Sequence, residues 1–199
     1  MNSAAQTLTV PALVERRSLP GDLAIWVFIL AELSAFAVLF LLYGVARMKH
    51  LALFNEMQLT LDRNAGAFNT VLLISASWCV ARAVAAIKQD KANVRARWLA
   101  FAMLAGFGFV GVKAMEYSAK FSAGISLDTN LFYMFYLSLT FFHLMHVLLG
   151  LGILALVWNK TRRGGYSAAD HVGMETGASY WHMVDLVWIV LFPLVYVMR

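Results

Sequence analysis

Five long apolar runs constrain this chain more than any other feature. They span Gly21–Val45, Ala67–Ile87, Trp98–Tyr117, Leu131–Trp158 and Ala178–Met198. Each reaches the roughly 20 residues that a helix needs to cross a hydrocarbon core about 30 Å thick. An isolated strand would leave backbone polar groups unpaired in lipid. The sequence also lacks the short alternating segments of a membrane barrel. The expected fold is therefore all-α: a five-transmembrane-helix bundle forming one domain. Composition agrees, because only 14% of the 199 residues are charged and 61% are hydrophobic. Soluble domains carry about 25% charged residues. With 3 prolines in the whole chain, long helices are permitted.

The boundaries of the runs have local causes. Pro20-Gly21-Asp22 closes a polar N-terminal arm, and Asp22 is placed to cap the first helix. A mixed loop ending in Asp62-Arg63-Asn64 joins the first two runs. Lys88 to Arg97 forms a basic connector, Gly124 to Asn130 a short polar turn, and Lys160 to Gly165 opens the last loop. Pro193 removes one hydrogen bond from the fifth helix and predicts a kink there. The division is thus an arm of residues 1–20 and a membrane domain of residues 21–199. The arm has no long apolar stretch ending in a small-residue cleavage site, so no cleaved signal peptide is expected. The single cysteine, Cys79, permits neither an intrachain disulfide nor a cysteine-based metal site.

The formal net charge is +5. In a membrane protein this excess belongs to loops and membrane surfaces, and it does not indicate nucleic-acid binding. With the N-terminus in the cytoplasm, the inner side holds Arg16, Arg17, Arg82, Lys88, Lys91, Arg95, Arg97, Lys160, Arg162 and Arg163. The outer side holds Arg47, Lys49, Arg63, Lys120 and Arg199, half as many. The positive-inside rule then predicts a cytoplasmic N-terminus and a periplasmic C-terminus. Trp26, Trp98, Trp158 and Trp181 fall near the inner ends, where an aromatic belt is expected.

An ionisable group near the bilayer centre costs about 2.5–3.5 kcal/mol on insertion scales, so each one needs a reason. Glu32 lies ten residues past Asp22, about 15 Å deep. His143 and His146 share a face of the fourth helix, in its inner half, with Tyr136, Thr140 and Gly150 continuing that face. His182 and Asp185 occupy the first two turns of the fifth helix at the same depth, with Glu175 just before them. Lys113 and Glu116 form an i,i+3 pair near the outer end of the third helix, beside Tyr117. The plainest role for Lys113, Glu116, His143, His146, Glu175, His182 and Asp185 is an interhelical polar network that fixes packing, including a His146–Asp185 bond. A metal or b-type haem held by these histidines is the sharper reading. Proton handling centred on Glu32 is the third. Ala102, Gly106, Gly108 and Gly111 in the third helix, and Gly150 and Gly152 in the fourth, mark close helix contacts.

Several of these residues fall into stretches that resemble subunit III of haem-copper oxidases. Tyr180-Trp181-His182-Met183-Val184-Asp185-Leu186-Val187-Trp188 is similar to that family's final-helix YWHFVDVVW. His143-Leu144-Met145-His146-Val147-Leu148-Leu149-Gly150 resembles its HGLHVxxG, with Phe142 where the family often has glycine. Glu116-Tyr117 and Asn69-Thr70 match two shorter pairs, and Glu32 falls where the family carries an intramembrane acidic residue that reacts with carbodiimide. Longer members have seven helices, and the first two have no counterpart here. The arm with Arg16-Arg17-Ser-Leu-Pro-Gly-Asp and the compact loop containing Asn55 and Arg63 look most like NorE-type accessory proteins of bacterial nitric oxide reductase. Subunit III of a quinol or cytochrome c oxidase is the near alternative, the five-helix quinol-oxidase form above all.

The resemblance implies a non-catalytic subunit in a bacterial inner membrane. Such a subunit binds no haem or metal itself. It packs against a catalytic subunit that holds haem with copper or iron, stabilises it, supports proton uptake and associates with structural phospholipid. A self-contained b-type cytochrome and a small transporter using Glu32 are the competing classes. The absence of a repeat or a broken-helix pair argues against the transporter.

Overall fold

The computed structural model describes residues 22–89, 92–167 and 170–198. The arm of residues 1–20, Gly21, Lys91 and Arg199 lie outside the described residues. Among the described residues six α-helices follow one another: α1 (Leu23–Lys49), α2 (Leu51–Gln58), α3 (Arg63–Ala85), α4 (Ala92–Ser122), α5 (Leu131–Arg162) and α6 (Val172–Phe192). Five of them are long and apolar enough to span a membrane, and α2 is the exception.

The spanning helices overrun the predicted runs. α1 continues to Lys49, α3 begins at Arg63, α4 reaches Ser122, α5 reaches Arg162 and α6 begins at Val172. Hydrophobicity reports only the part of a helix in lipid, whereas capped polar turns extend it into the interface. Asp62 caps α3 by accepting from the Asn64 and Ala65 amides at 2.9 and 3.1 Å. Asn130 caps α5 through the Tyr133 amide at 2.9 Å. Asp22 occupies the N-cap position of α1, but its side chain makes no capping bond, contrary to expectation. Gly124, at φ 74°, ends α4 in the left-handed conformation. That turn lets the Ile125 amide reach back to the Lys120 carbonyl at 3.1 Å.

Two elements were not anticipated. The loop after α1 contains α2, an 8-residue helix. Its Gln58 is fully buried and donates from Nε2 to the Val195 carbonyl at 2.8 Å. Its Asn55 accepts from Arg47 Nη2 at 2.9 Å. α2 thus ties the end of α1 to the C-terminal turn. At Pro193, α6 changes to a π turn over Pro193–Val197, and the Met198 amide bonds to the Pro193 carbonyl at 2.9 Å. The wider turn is how the chain accommodates the missing proline N–H.

α3, α4, α5 and α6 form a closed four-helix arrangement, with α1 lying along α6 and α5. Gly106 of α4 and Gly150 of α5 face the Trp181 ring of α6. A Cβ added at Gly106 would come within 2.8 Å of that ring, and one at Gly150 within 3.0 Å. Trp181 is therefore a core residue, 1% exposed, rather than part of the inner aromatic belt. Gly111 and Gly152 meet nothing within 4 Å and make no close contact. Phe101, Leu104, Phe107 and Met115 on α4 and Met145, Leu149 and Leu156 on α5 are exposed. An apolar surface this continuous is suited to lipid and not to water.

Candidate functional site

Among the described residues, most of the ionisable side chains inside the spans gather into three groups, at different places in the bundle. The largest surrounds Lys113 on α4, which is fully buried. Its Nζ donates to Glu116 Oε2 at 2.9 Å and to the Tyr196 hydroxyl at 2.8 Å. Glu116 Oε1 accepts from the Tyr136 and Tyr196 hydroxyls at 2.6 and 2.8 Å. The rings of Tyr117, Tyr136, Tyr196 and Trp188 enclose the ammonium at 5.1 to 5.6 Å. Tyr117 donates to Thr140 Oγ1 at 2.8 Å, and Thr140 donates to the Tyr136 carbonyl at 2.6 Å. Opposite charges, charge-assisted bonds and cation–π contacts together compensate the desolvation of the ion pair. Tyr196, which sequence reasoning missed, supplies a phenol from an otherwise apolar C-terminal run.

The second group joins α1 to α5. His146 Nε2 lies 3.0 Å from Glu32 Oε2, and its Nδ1 lies 2.8 Å from the Phe142 carbonyl. A carbonyl can only accept, so Nδ1 carries a proton and donates it. The contact between Nε2 and the carboxyl then needs one further proton. That proton sits either on Glu32, which donates to a neutral ring, or on the imidazole, which donates to a carboxylate. The contact therefore holds one proton shared between the two side chains. With both ring nitrogens engaged, the expected His146–Asp185 bond does not form.

The third group lies between α3 and α6. His182 Nδ1 is 2.8 Å from Ser77 Oγ. Asp185, 8% exposed, is close enough to both Ser77 and His182 to interact with them, while its Oδ1 has no hydrogen-bond partner. Glu175 stands apart at the start of α6, with Oε1 3.2 Å from His171 Nε2.

The proposed network is thus three local clusters plus Glu175. His143 belongs to none of them: it is fully buried, and neither ring nitrogen has a hydrogen-bond partner. It packs against Trp188 at 5.2 Å and Phe109 at 5.7 Å, with Phe36 at 6.4 Å. Those rings fill the space that a haem ligated by His143 would need. His146 is likewise enclosed by Phe36 and Phe142, at 5.1 and 4.7 Å. Among the described residues, no three His, Cys, Asp or Glu side chains are grouped to hold a metal ion. Near the α3–α4 connection, Arg82 lies over Trp98 at 5.9 Å, and buried Arg95 donates to the Tyr166 carbonyl at 3.3 Å.

Five apolar spans around internal polar clusters define a polytopic membrane subunit built for helix packing. The chain belongs to the cytochrome c oxidase subunit III family, whose model matches residues 21–199. It is a non-catalytic subunit of the haem-copper oxidase type and a multi-pass membrane protein. It is 33% identical to cytochrome c oxidase subunit 3 of Thermostichus vulcanus, over 88% of this chain and 86% of that one. It is 36% identical to the same subunit of a Synechocystis strain, over 86% of this chain and 72% of that one. A haem-copper oxidase subunit I+III of Aeropyrum pernix is 28% identical, over 94% of this chain and 24% of its own length.

Proposed function

We propose that this chain is subunit III of a bacterial terminal oxidase, seated against the catalytic haem-copper subunit in the inner membrane with its N-terminus in the cytoplasm. The carrying observation is that internal polar groups are met by side chains of neighbouring helices, Glu116 by Tyr136 and Tyr196, His146 by Glu32 and His182 by Ser77, while most of the outer surface is apolar. That design suits a stabilising neighbour. The Aeropyrum relative, named as subunits I and III in one chain, supports subunit I as the partner. Apolar grooves between α1 and α5, lined by Val38, Leu39, Phe141 and Met145, and between α4 and α5, lined by Phe121 and Leu137, suit phospholipid acyl chains.

A second reading, an accessory subunit of nitric oxide reductase, rests on the basic arm and on the Asn55- and Arg63-containing connection. Gentle detergent purification followed by metal analysis separates the two. Oxidase membership predicts co-purification with a haem-bearing subunit that contains copper, while the separated chain has no Soret band. A partner with non-haem iron in place of copper identifies the reductase. A Soret band from the chain alone overturns both in favour of a cytochrome.

Within that complex, Glu32 is proposed to support proton supply or the longevity of the partner's active site through the proton it shares with His146. Glu32→Gln keeps a donor for His146 Nε2 but removes the carboxyl group. The bundle should then stay within about 1 kcal/mol of its original stability, since one hydrogen bond replaces another. The number of turnovers completed before inactivation should fall. An unchanged initial rate together with an unchanged inactivation rate removes Glu32 from this role.

A further inference from the structure

Arg97 and Arg162 border one cavity, at the end of the bundle where α4 begins and α5 finishes. α4 has 31 residues and α5 has 32, so each is about 46–48 Å long. That length covers the hydrocarbon core and both headgroup layers, which puts the helix ends at headgroup level. Arg162 is the last residue of α5, and Arg97 lies about 7.5 Å into α4. Among the described residues, neither guanidinium has a carboxylate partner, and no carboxylate lines the cavity. Two like charges bordering one space repel each other, and an anion between them removes the repulsion. The cavity beside Lys120 is different, because Asp62 and Glu116 line it too and supply counter-charge.

The space between the two arginines is held open by its walls. It measures about 570 Å³. Ala96 and Ala100 form the α4 side, where their small side chains leave room. Trp158 forms the α5 side, fixed by Nε1 donating to the Ala96 carbonyl at 3.1 Å. The Arg162 guanidinium lies 4.8 Å over that indole, a stacking that orients it while leaving its N–H donors free. Asn93, exposed in the first turn of α4, adds an amide to the same lining. The Thr161 hydroxyl turns away and donates to the Val157 carbonyl at 2.8 Å. Further into the span the surface becomes apolar. Phe101 and Leu104 are exposed one and two turns along α4 on the side of Arg97. On α5, Ala155 and Gly152 are exposed one and two turns back from Trp158.

We infer that this end of the α4/α5 pair binds an anionic phospholipid whose headgroup is a phosphodiester without an amine. Its phosphate sits between Arg97 and Arg162, and its acyl chains run along Phe101 and Leu104. Guanidinium N–H groups match phosphate oxygens in charge and in geometry. A headgroup ammonium would find no carboxylate in the cavity, which selects against a zwitterionic amine lipid. The apolar continuation favours a lipid over free phosphate. Basic pockets between spanning helices are a setting in which anionic headgroups bind. The inference uses only these two helix ends and does not depend on the oxidase-subunit reading.

Lipid titration of the purified full-length chain tests it. Delipidated protein in detergent receives phosphatidylglycerol or phosphatidylethanolamine with identical acyl chains, and native mass spectrometry counts the lipid retained. The expected result is one phosphatidylglycerol per chain, retained at a concentration several-fold below that needed for phosphatidylethanolamine. Arg97→Gln combined with Arg162→Gln should abolish this preference. Arg163→Gln, which removes a cation from the same helix end but outside the cavity lining, should preserve it. Equal retention of the two lipids by the wild-type chain overturns the inference without recourse to any variant. So does a double variant that keeps the preference, or an equal loss from Arg163→Gln, which would assign the effect to general surface charge. Phosphatidylglycerol should also raise the thermal unfolding midpoint where inorganic phosphate at the same concentration does not. An equal rise with phosphate overturns the lipid assignment in favour of a free-anion site. None of these outcomes bears on whether a haem-bearing subunit co-purifies.

Discussion

At the scale of single residues, the Lys113 cluster makes the clearest energetic demand. Four groups converge on Glu116 and Lys113: the two charges themselves and the Tyr136 and Tyr196 hydroxyls. Removing one charge strands the other in a buried site, which costs about 3–5 kcal/mol, whereas removing both is far milder. Lys113→Met should therefore lower the thermal unfolding midpoint of the complex sharply, and Lys113→Met with Glu116→Gln should recover most of the loss. Additive effects of the two changes would show that the pair is not coupled. The sequence made the Lys113–Glu116 pairing legible, because an i,i+3 spacing on one helix fixes it. It did not reveal Tyr196 as a partner, since a phenol in an apolar run carries no periodic signal. Depth put Glu32 near the level of His146 but could not pair them, because the rotation of each helix about its axis is set by tertiary packing. For the same reason depth alone assigned Trp181 to the interface, while Gly106 and Gly150 draw its ring into the core.

At the scale of elements, the α4–α5–α6 contact turns on those two glycines. A methyl at Gly106 would sit 2.7 Å from Leu151 Cδ2 and 2.8 Å from the Trp181 ring, so at least one of them must move. Leu151 can change rotamer, but the indole is held on both sides, and overpacking of this kind typically costs 1–3 kcal/mol. Gly106→Ala should lower the unfolding midpoint, and Gly106→Ala with Trp181→Phe should regain part of it by shortening the ring. Gly111→Ala, where nothing lies within 4 Å, is the control and should be neutral. The five long helices were readable because each apolar run accumulates signal over some 20 residues. α2 escaped notice because 8 residues with mixed composition lie below that resolution. Its role as a tie between Arg47 and Val195 exists only once the chain has folded.

At the scale of the whole molecule, orientation is set by charge outside the hydrocarbon, because the internal clusters pair to themselves and exert no preference between sides. Two arginines counted for the rule are buried in protein contacts, Arg47 against Asn55 and Arg95 against Tyr166. One comes from each predicted side, so setting them aside preserves the inner excess carried by Arg82, Arg97, Lys160, Arg162 and Arg163. Arg162, with its guanidinium 4.8 Å over the Trp158 ring, is suited to anchor the C-terminal end of α5 at an interface. The positive-inside rule then predicts a C-terminus facing the periplasm. Alkaline phosphatase fused after the C-terminal residue should be active in a bacterial host, and a green fluorescent protein fused there through the general secretory route should be dark. The same reporters inserted between α3 and α4 should give the opposite pair of signals. Phosphatase activity from the α3–α4 insertion, with fluorescence at the C-terminus, would mean that the bundle is inverted. The proposed cytoplasmic placement of the N-terminus would then be wrong.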